Sequence, residues 1–153
     1  MFSALLILYF CGREWCYQGA IKKFLDFSEI KLKSRPIIRW AGSKTRILPI
    51  LVEHMPVEYD RYIEPFCGSM SLFVKVSPER SIMDDINQDL INFYVQLKDY
   101  HVDIAARVFS LARTKEEYYR VRGLDPELMT PLERAVRFFY LNRHCFNGGG
   151  GKN

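Results

Sequence analysis

A chain of 153 residues with 48% apolar and 14% aromatic side chains can bury one hydrophobic core, which excludes a disordered segment and fits one domain or part of one. The formal net charge of +4 permits a nucleic-acid partner without requiring one. Four cysteines, Cys11, Cys16, Cys67 and Cys145, form no Cys-x-x-Cys pair, which argues against a zinc site or a disulfide framework and for reduced thiols in the cytoplasm.

Residues 1–34 read as an N-terminal extension with no assigned role. The apolar run from Met1 stops at Gly12-Arg13-Glu14, short of the ~20 residues a membrane span needs, so no membrane partner is expected. Ile21, Phe24 and Leu25 follow at helical spacing. Pro36 to Trp40 reads as a short extended segment, because Ile37 and Ile38 are β-branched. A turn at Ala41 to Ser43 then leads into a helix from about Lys44 to His54, with Pro49 expected to give a kink or a short first turn.

The stretch from Tyr62 to Asn92 organises the rest. Arg61 to Pro65 predicts a strand, Cys67 to Ser69 a small-residue turn, Met70 to Val76 a helix, and Arg80 to Met83 a second strand ending in carboxylates. A strand, a glycine turn, a helix and a second strand with a terminal acid is a pattern that holds nucleotide-like ligands. The turn lets the backbone come close, and a carboxylate can accept two hydrogen bonds from ribose hydroxyls. Helices are predicted over Asn87 to Lys98, with Asp85 or Asn87 as N-cap, then over Val102 to Ala112 and Lys115 to Val121. Gly123 to Pro131 breaks the pattern. Thr130-Pro131-Leu132-Glu133 carries a cap, a first-turn proline and a third-position glutamate, which starts a helix to about Arg143.

Four strings fall in one order: Arg39-Trp40-Ala41-Gly42-Ser43-Lys44, Glu64-Pro65-Phe66-Cys67-Gly68, Asp85-Ile86-Asn87-Gln88-Asp89-Leu90, and Phe139-Tyr140-Leu141-Asn142-Arg143-His144-Cys145-Phe146-Asn147-Gly148. Over residues 36–153 this order resembles the Dam-type (D12 class) DNA adenine-N6 methyltransferases. The resemblance implies an α/β, Rossmann-like methyltransferase fold, incomplete here, with a helical segment leading to the target-recognition region. It divides the chain into a cofactor-binding part over 35–100 and the helical start of the recognition region over 101–153. It implies S-adenosyl-L-methionine as cofactor and double-stranded DNA as partner. Trp40 and Lys44 match the family's first cofactor motif. Glu64, Phe66 and Gly68 match the loop around the methionine part, and Asp85 matches the acid on the ribose. Asn142, Arg143 and Asn147 match residues near DNA, although Asn147-Gly148 reads equally well as a helix C-cap.

The chain departs from that pattern at Met70, where the family has a second loop glycine, and at Ser43, where it has glycine. After Gly148 come further glycines instead of a bulky and then a basic residue. The family's catalytic Asp-Pro-Pro-Tyr string is absent: none of the seven prolines adjoins another, and Asp125-Pro126-Glu127-Leu128 lies between helices. No catalytic residue and no metal ligand is therefore assigned. The expectation is the cofactor half of an adenine-N6 methyltransferase, marginally stable with exposed strand edges. The alternatives are a non-catalytic cofactor- or DNA-binding remnant and one half of a split enzyme whose second polypeptide carries the catalytic string. A nicotinamide-binding domain is disfavoured because no Gly-x-Gly-x-x-Gly occurs.

Overall fold

The computed structural model describes residues 36–145; the expectations for residues 1–34 and for Asn147 lie outside them. The centre is a strand–helix–strand unit. Strand β1 (Tyr62–Glu64) runs through a turn into helix α2 (Ser71–Val76) and returns as β2 (Ser81–Met83). The strands pair in parallel, with Tyr62 opposite Ser81, Ile63 opposite Ile82 and Glu64 opposite Met83. Among the described residues this sheet has two strands, each shorter than its predicted run. Tyr62 and Glu64 point into the core, while Ile63 and Ile82 are 60% and 47% exposed.

Upstream, the predicted helix from Lys44 divides. A single 3-10 turn covers Lys44–Arg46, and α1 runs over Leu48–Glu53. Pro49 sits in the first turn of α1 and starts the helix instead of kinking it: its missing N–H would have no intrahelical partner there. The extended segment expected at Pro36 to Trp40 forms no strand; Asn142 occupies the backbone groups of Arg39 that a ladder would use.

Downstream, the two helices expected before Ala112 are one element, α3 (Gln88–Ser110), kinked where Tyr100 leaves helical geometry (φ −123°, ψ 27°). Asn87 is the N-cap, its side chain accepting from the Leu90 amide at 3.0 Å. Helix α4 (Lys115–Arg122) is capped by Thr114, and a 3-10 turn at Pro126–Leu128 fills the turn-rich break. Helix α5 (Pro131–His144) begins with the predicted capping box of Thr130 and Glu133.

Helices α3 and α5 form the main core. Phe93, fully buried on α3, stacks on Phe139 at 5.3 Å and leans on Phe138 at 5.4 Å. Such ring pairs add about 0.5–1.5 kcal/mol each beyond the area they bury. Arg134 on α5 pairs with Asp89 on α3 at 2.8 Å, and the Asn92 amide donates to the Pro131 carbonyl at 2.8 Å. Both polar contacts sit near the N-terminal ends of their helices and fix the register of the pair.

Candidate functional site

A cavity of about 320 Å³ lies at the carboxyl end of the two strands. Three segments line it: Trp40 to Lys44, Phe66 to Ser69 with Ser71, and Asp85. The chain reaches this end of the sheet because both parallel strands stop there. The backbone then turns sharply on residues that tolerate positive φ.

The turn after β1 is the strained part. Gly68 has φ +46°, and a Cβ built on it would lie 2.9 Å from Cδ1 of Trp40. Glycine is thus required twice, by the backbone and by the indole edge. Met70 also sits in the left-handed region, at φ 54°, immediately before α2. The family resemblance expects glycine here, and the backbone shows why; the methionine side chain is instead buried in the core.

Asp85 holds the turn. Its Oδ2 accepts from the Gly68 amide at 3.0 Å and its Oδ1 from the Asn87 amide at 3.1 Å. It caps no helix, since Asn87 does that; it ties the β1 turn to the β2 turn. Each carboxylate oxygen can accept a further hydrogen bond, and Asp85 lines the cavity. Asp84 is exposed and does not line the cavity; its side chain accepts from the Asp85 amide at 2.8 Å.

Glu64 does not line the cavity. It is 5% exposed and lies beneath the floor. Lys44 reaches across from the other segment, donating to Glu64 Oε1 at 2.9 Å and to the Phe66 carbonyl at 2.6 Å. The Tyr62 hydroxyl donates to the second Glu64 oxygen at 2.7 Å. A buried carboxylate with an ammonium and a phenol on it is the satisfied arrangement that burial demands. Above it, the Ser43 and Ser69 hydroxyls meet at 3.0 Å across the two lining segments. Phe66 itself is 75% exposed, an aromatic face turned outward beside the opening.

Charge and burial together set the local acidities. Burial, then the Asp85 and Glu64 carboxylates, push the Cys67 thiol up to about 12. Burial likewise raises the phenols of Tyr62 and Tyr94, with Glu64 adding to the shift at Tyr62. These groups are neutral at physiological pH.

The structure therefore gathers Trp40, Lys44, Phe66, Gly68 and Asp85 on one cavity and puts Glu64 under it. Asn142 is elsewhere than the sequence led us to expect. It is 2% exposed, and its amide clasps the Arg39 backbone, accepting from the N–H at 3.1 Å and donating to the carbonyl at 2.7 Å. A side chain so enclosed acts on the position of residue 39, not on an external duplex. Arg143 is exposed next to it, with its guanidinium 5.1 Å from the Phe139 ring centre. Sequence reasoning missed Ser69 and Ser71, whose only signal was their place in the turn. It also missed Tyr94, which read simply as one of the apolar positions of a helix.

No helix among the described residues is long and apolar enough to cross a membrane. Residues 40–150 match the family profile of D12 class N6 adenine-specific DNA methyltransferases. The chain is 39% identical over 118 residues to a DNA N-6-adenine-methyltransferase of Escherichia phage P1, covering 74% of this chain and 16% of that protein. It is 35% identical over 124 residues to a type II methyltransferase of Lactococcus lactis subsp. cremoris, covering 77% and 44%. It is 37% identical over 120 residues to the DNA adenine methylase of Escherichia coli K12, covering 76% and 43%. The chain thus spans less than half the length of each of these relatives. A profile match over most of the sequence, with residues of the first three strings lining one cavity, establishes that this chain belongs to the D12 class N6 adenine-specific DNA methyltransferase family.

Proposed function

We propose that the cavity binds S-adenosyl-L-methionine and that the chain forms the donor half of a DNA adenine-N6 methyltransferase. The observation that carries this reading is the convergence of an aromatic wall, a glycine turn and a carboxylate on one cavity of about 320 Å³, within the range of small-ligand sites. The donor set fits the group. Asp85 has lone pairs for two ribose hydroxyls, and the Trp40 and Phe66 faces suit an adenine ring or a sulfonium cation. The missing Cβ at Gly68 lets the Trp40 indole close directly on the turn, so the aromatic wall and the glycine turn adjoin. Two of the three Lys44 N–H donors are committed to Glu64 and Phe66, so its main role is to hold the aromatic segment in place.

When bound, S-adenosylmethionine supplies an electrophilic methyl group on sulfur. The chain's own residues then orient it: Asp85 fixes the ribose, and the turn at Cys67 to Ser69 sets the depth of the amino-acid tail. In this reading the partner is a duplex whose target adenine is turned out towards the cavity. Arg143 is the described residue offered to the duplex, Asn142 acts through Arg39, and Asn147 stands as the resemblance implies. The Rossmann-like sheet and the DNA-bearing compartment of the cell follow from the same proposal. The Asp-Pro-Pro-Tyr string that grips the base in this family is not among residues 1–153, so the chain assayed alone is expected to leave DNA unmethylated.

Calorimetric titration with S-adenosylmethionine tests the reading. The wild-type chain should bind, and Asp85→Asn should weaken binding by about tenfold or more, the scale of one lost charge-assisted hydrogen bond. Absence of heat from the wild-type chain would overturn the proposal.

A further inference from the structure

Two buried polar side chains reach the cavity walls from behind without lining the cavity. The Tyr94 hydroxyl, on α3, donates to the Gly68 carbonyl at 2.9 Å. The Gly68 peptide is therefore held at both ends, its N–H by Asp85 and its carbonyl by Tyr94. Asn142, on α5, clasps both backbone groups of Arg39 across 103 residues of sequence. Arg39 immediately precedes Trp40, whose ring also leans on Phe138 of α5 at 6.2 Å. One helix thus fixes the glycine wall, and the other fixes the indole wall. The two walls touch, since Trp40 closes the space a Cβ at Gly68 would need.

We propose that Tyr94 and Asn142 are positioning residues of the cavity: they set the spacing between Gly68 and Trp40 from the α3–α5 helix pair, and so set cofactor affinity without touching the cofactor. The inference rests on the cavity's being the S-adenosylmethionine site. The physical reason is the strain at the turn. Gly68 and Met70 are both left-handed, and Gly68 itself makes no bond in the strand ladder: its carbonyl is taken by Tyr94 and its amide by Asp85. A buried phenol with a single acceptor has one good geometry, and a carboxamide bonded to both the N–H and the C=O of one residue has one orientation. Asp85 and the Cys67–Asp84 backbone bond hold the turn from the strand side, and the helix pair holds it from behind through Tyr94 and, by way of Arg39 and Trp40, through Asn142.

The test uses Tyr94→Phe, which removes one oxygen and keeps the ring, in the full chain. Tyr140→Phe is the matched control: that buried hydroxyl donates to the Ala112 carbonyl at 2.7 Å, away from the cavity. Both variants should lose similar stability in urea. Only Tyr94→Phe should weaken S-adenosylmethionine binding, by about tenfold if its whole hydrogen bond is used in positioning. A second readout needs no ligand. In a Trp15→Phe background, Trp40 is the remaining tryptophan, and its emission should shift in Tyr94→Phe and in Asn142→Ala but not in Tyr140→Phe. Wild-type affinity in Tyr94→Phe would overturn the proposal. Equal weakening by Tyr140→Phe, or unshifted Trp40 emission in both site variants, would also overturn it. If the wild-type chain binds no cofactor, the binding role falls with the cavity reading, and the emission arm still decides whether these residues set the wall spacing.

Discussion

Replacing Lys44 with methionine should destabilise the chain more than a surface ion pair would, and the site geometry gives the size. The Lys44 ammonium lies 2.9 Å from Glu64, with the lysine side chain 31% exposed and the glutamate side chain 6% exposed. Removing one partner of a fully buried pair costs about 3–5 kcal/mol, because the remaining charge is stranded. An exposed pair is worth about 0–1 kcal/mol. Here the stranded group is the buried one, which pulls towards the larger figure. It keeps the Tyr62 hydroxyl at 2.7 Å, and the lysine side chain is 31% exposed, which pulls back. Lys44→Met also frees the Phe66 carbonyl, though at an exposed position where water can replace the donor. The expected loss is about 2–3 kcal/mol, a large share of the 5–15 kcal/mol that holds a typical domain together. Urea unfolding of wild type, Lys44→Met, Tyr62→Phe and the double variant measures it as a cycle. The two single effects should be non-additive, since both partners serve one carboxylate. A Lys44→Met loss below about 0.5 kcal/mol would mean the carboxylate is hydrated after all and would refute the reasoning.

Gly68→Ala should cost about 2–3 kcal/mol, combining left-handed strain with displacement of the Trp40 ring, and should abolish ligand binding in the same titration. Ser77→Gly should do the opposite: Ser77 ends α2 at φ 50°, and glycine at that cap should raise stability by about 0.5–1 kcal/mol in urea. Alkaline pH should unfold the chain through Cys67. Its thiol is held protonated to about 12 in the folded state, so the folded form binds the proton that the unfolded form has lost. Stability is then full below the unfolded thiol's value and falls as pH rises through this range, and Cys67→Ala should flatten the decline in a pH series of urea midpoints. For the same reason Cys67 should resist alkylation at pH 8 until the chain is unfolded.

Much of the site was legible because its residues announce themselves locally. A glycine turn after a β-branched run, a carboxylate at the end of the next run and a capping box are each written within four or five residues. The structure keeps all three at their expected places. What the sequence hid is long-range. Glu64 reads as one of several acids until the fold brings Lys44 over it from 20 residues away. Asn142 reads as a polar residue at the end of an aromatic helix, and nothing nearby says that it will be enclosed by a backbone 103 residues upstream. Tyr94 satisfies the helical apolar pattern with its ring, so its hydroxyl carries no separate signal. The break expected between Lys98 and Val102 is a kink and not an end: Tyr94, Leu97, His101, Ile104 and Val108 keep one unbroken three- and four-residue spacing across it, the pattern of one bent helix.

The same separation of local from long-range explains why a sheet this small holds its shape. Two parallel strands of three residues cannot shield themselves, and one face indeed leaves Ile63 and Ile82 open to water. The other face is secured by side chains that come from outside the sheet: Lys44 onto Glu64, Tyr94 onto Gly68, and Asn142 through Arg39 and Trp40. Rigidity in this region therefore comes from the α3–α5 aromatic core, and the strands inherit it. A substitution that adds charge on the open face, such as Ile63→Lys, should then leave the urea midpoint within about 0.5 kcal/mol of wild type, as surface changes do. A substitution that loosens the core, such as Phe93→Ala, should cost about 3–5 kcal/mol and carry the cavity with it. If instead Ile63→Lys unfolded the cavity while Phe93→Ala spared it, the sheet would be the source of order and the helices its cover.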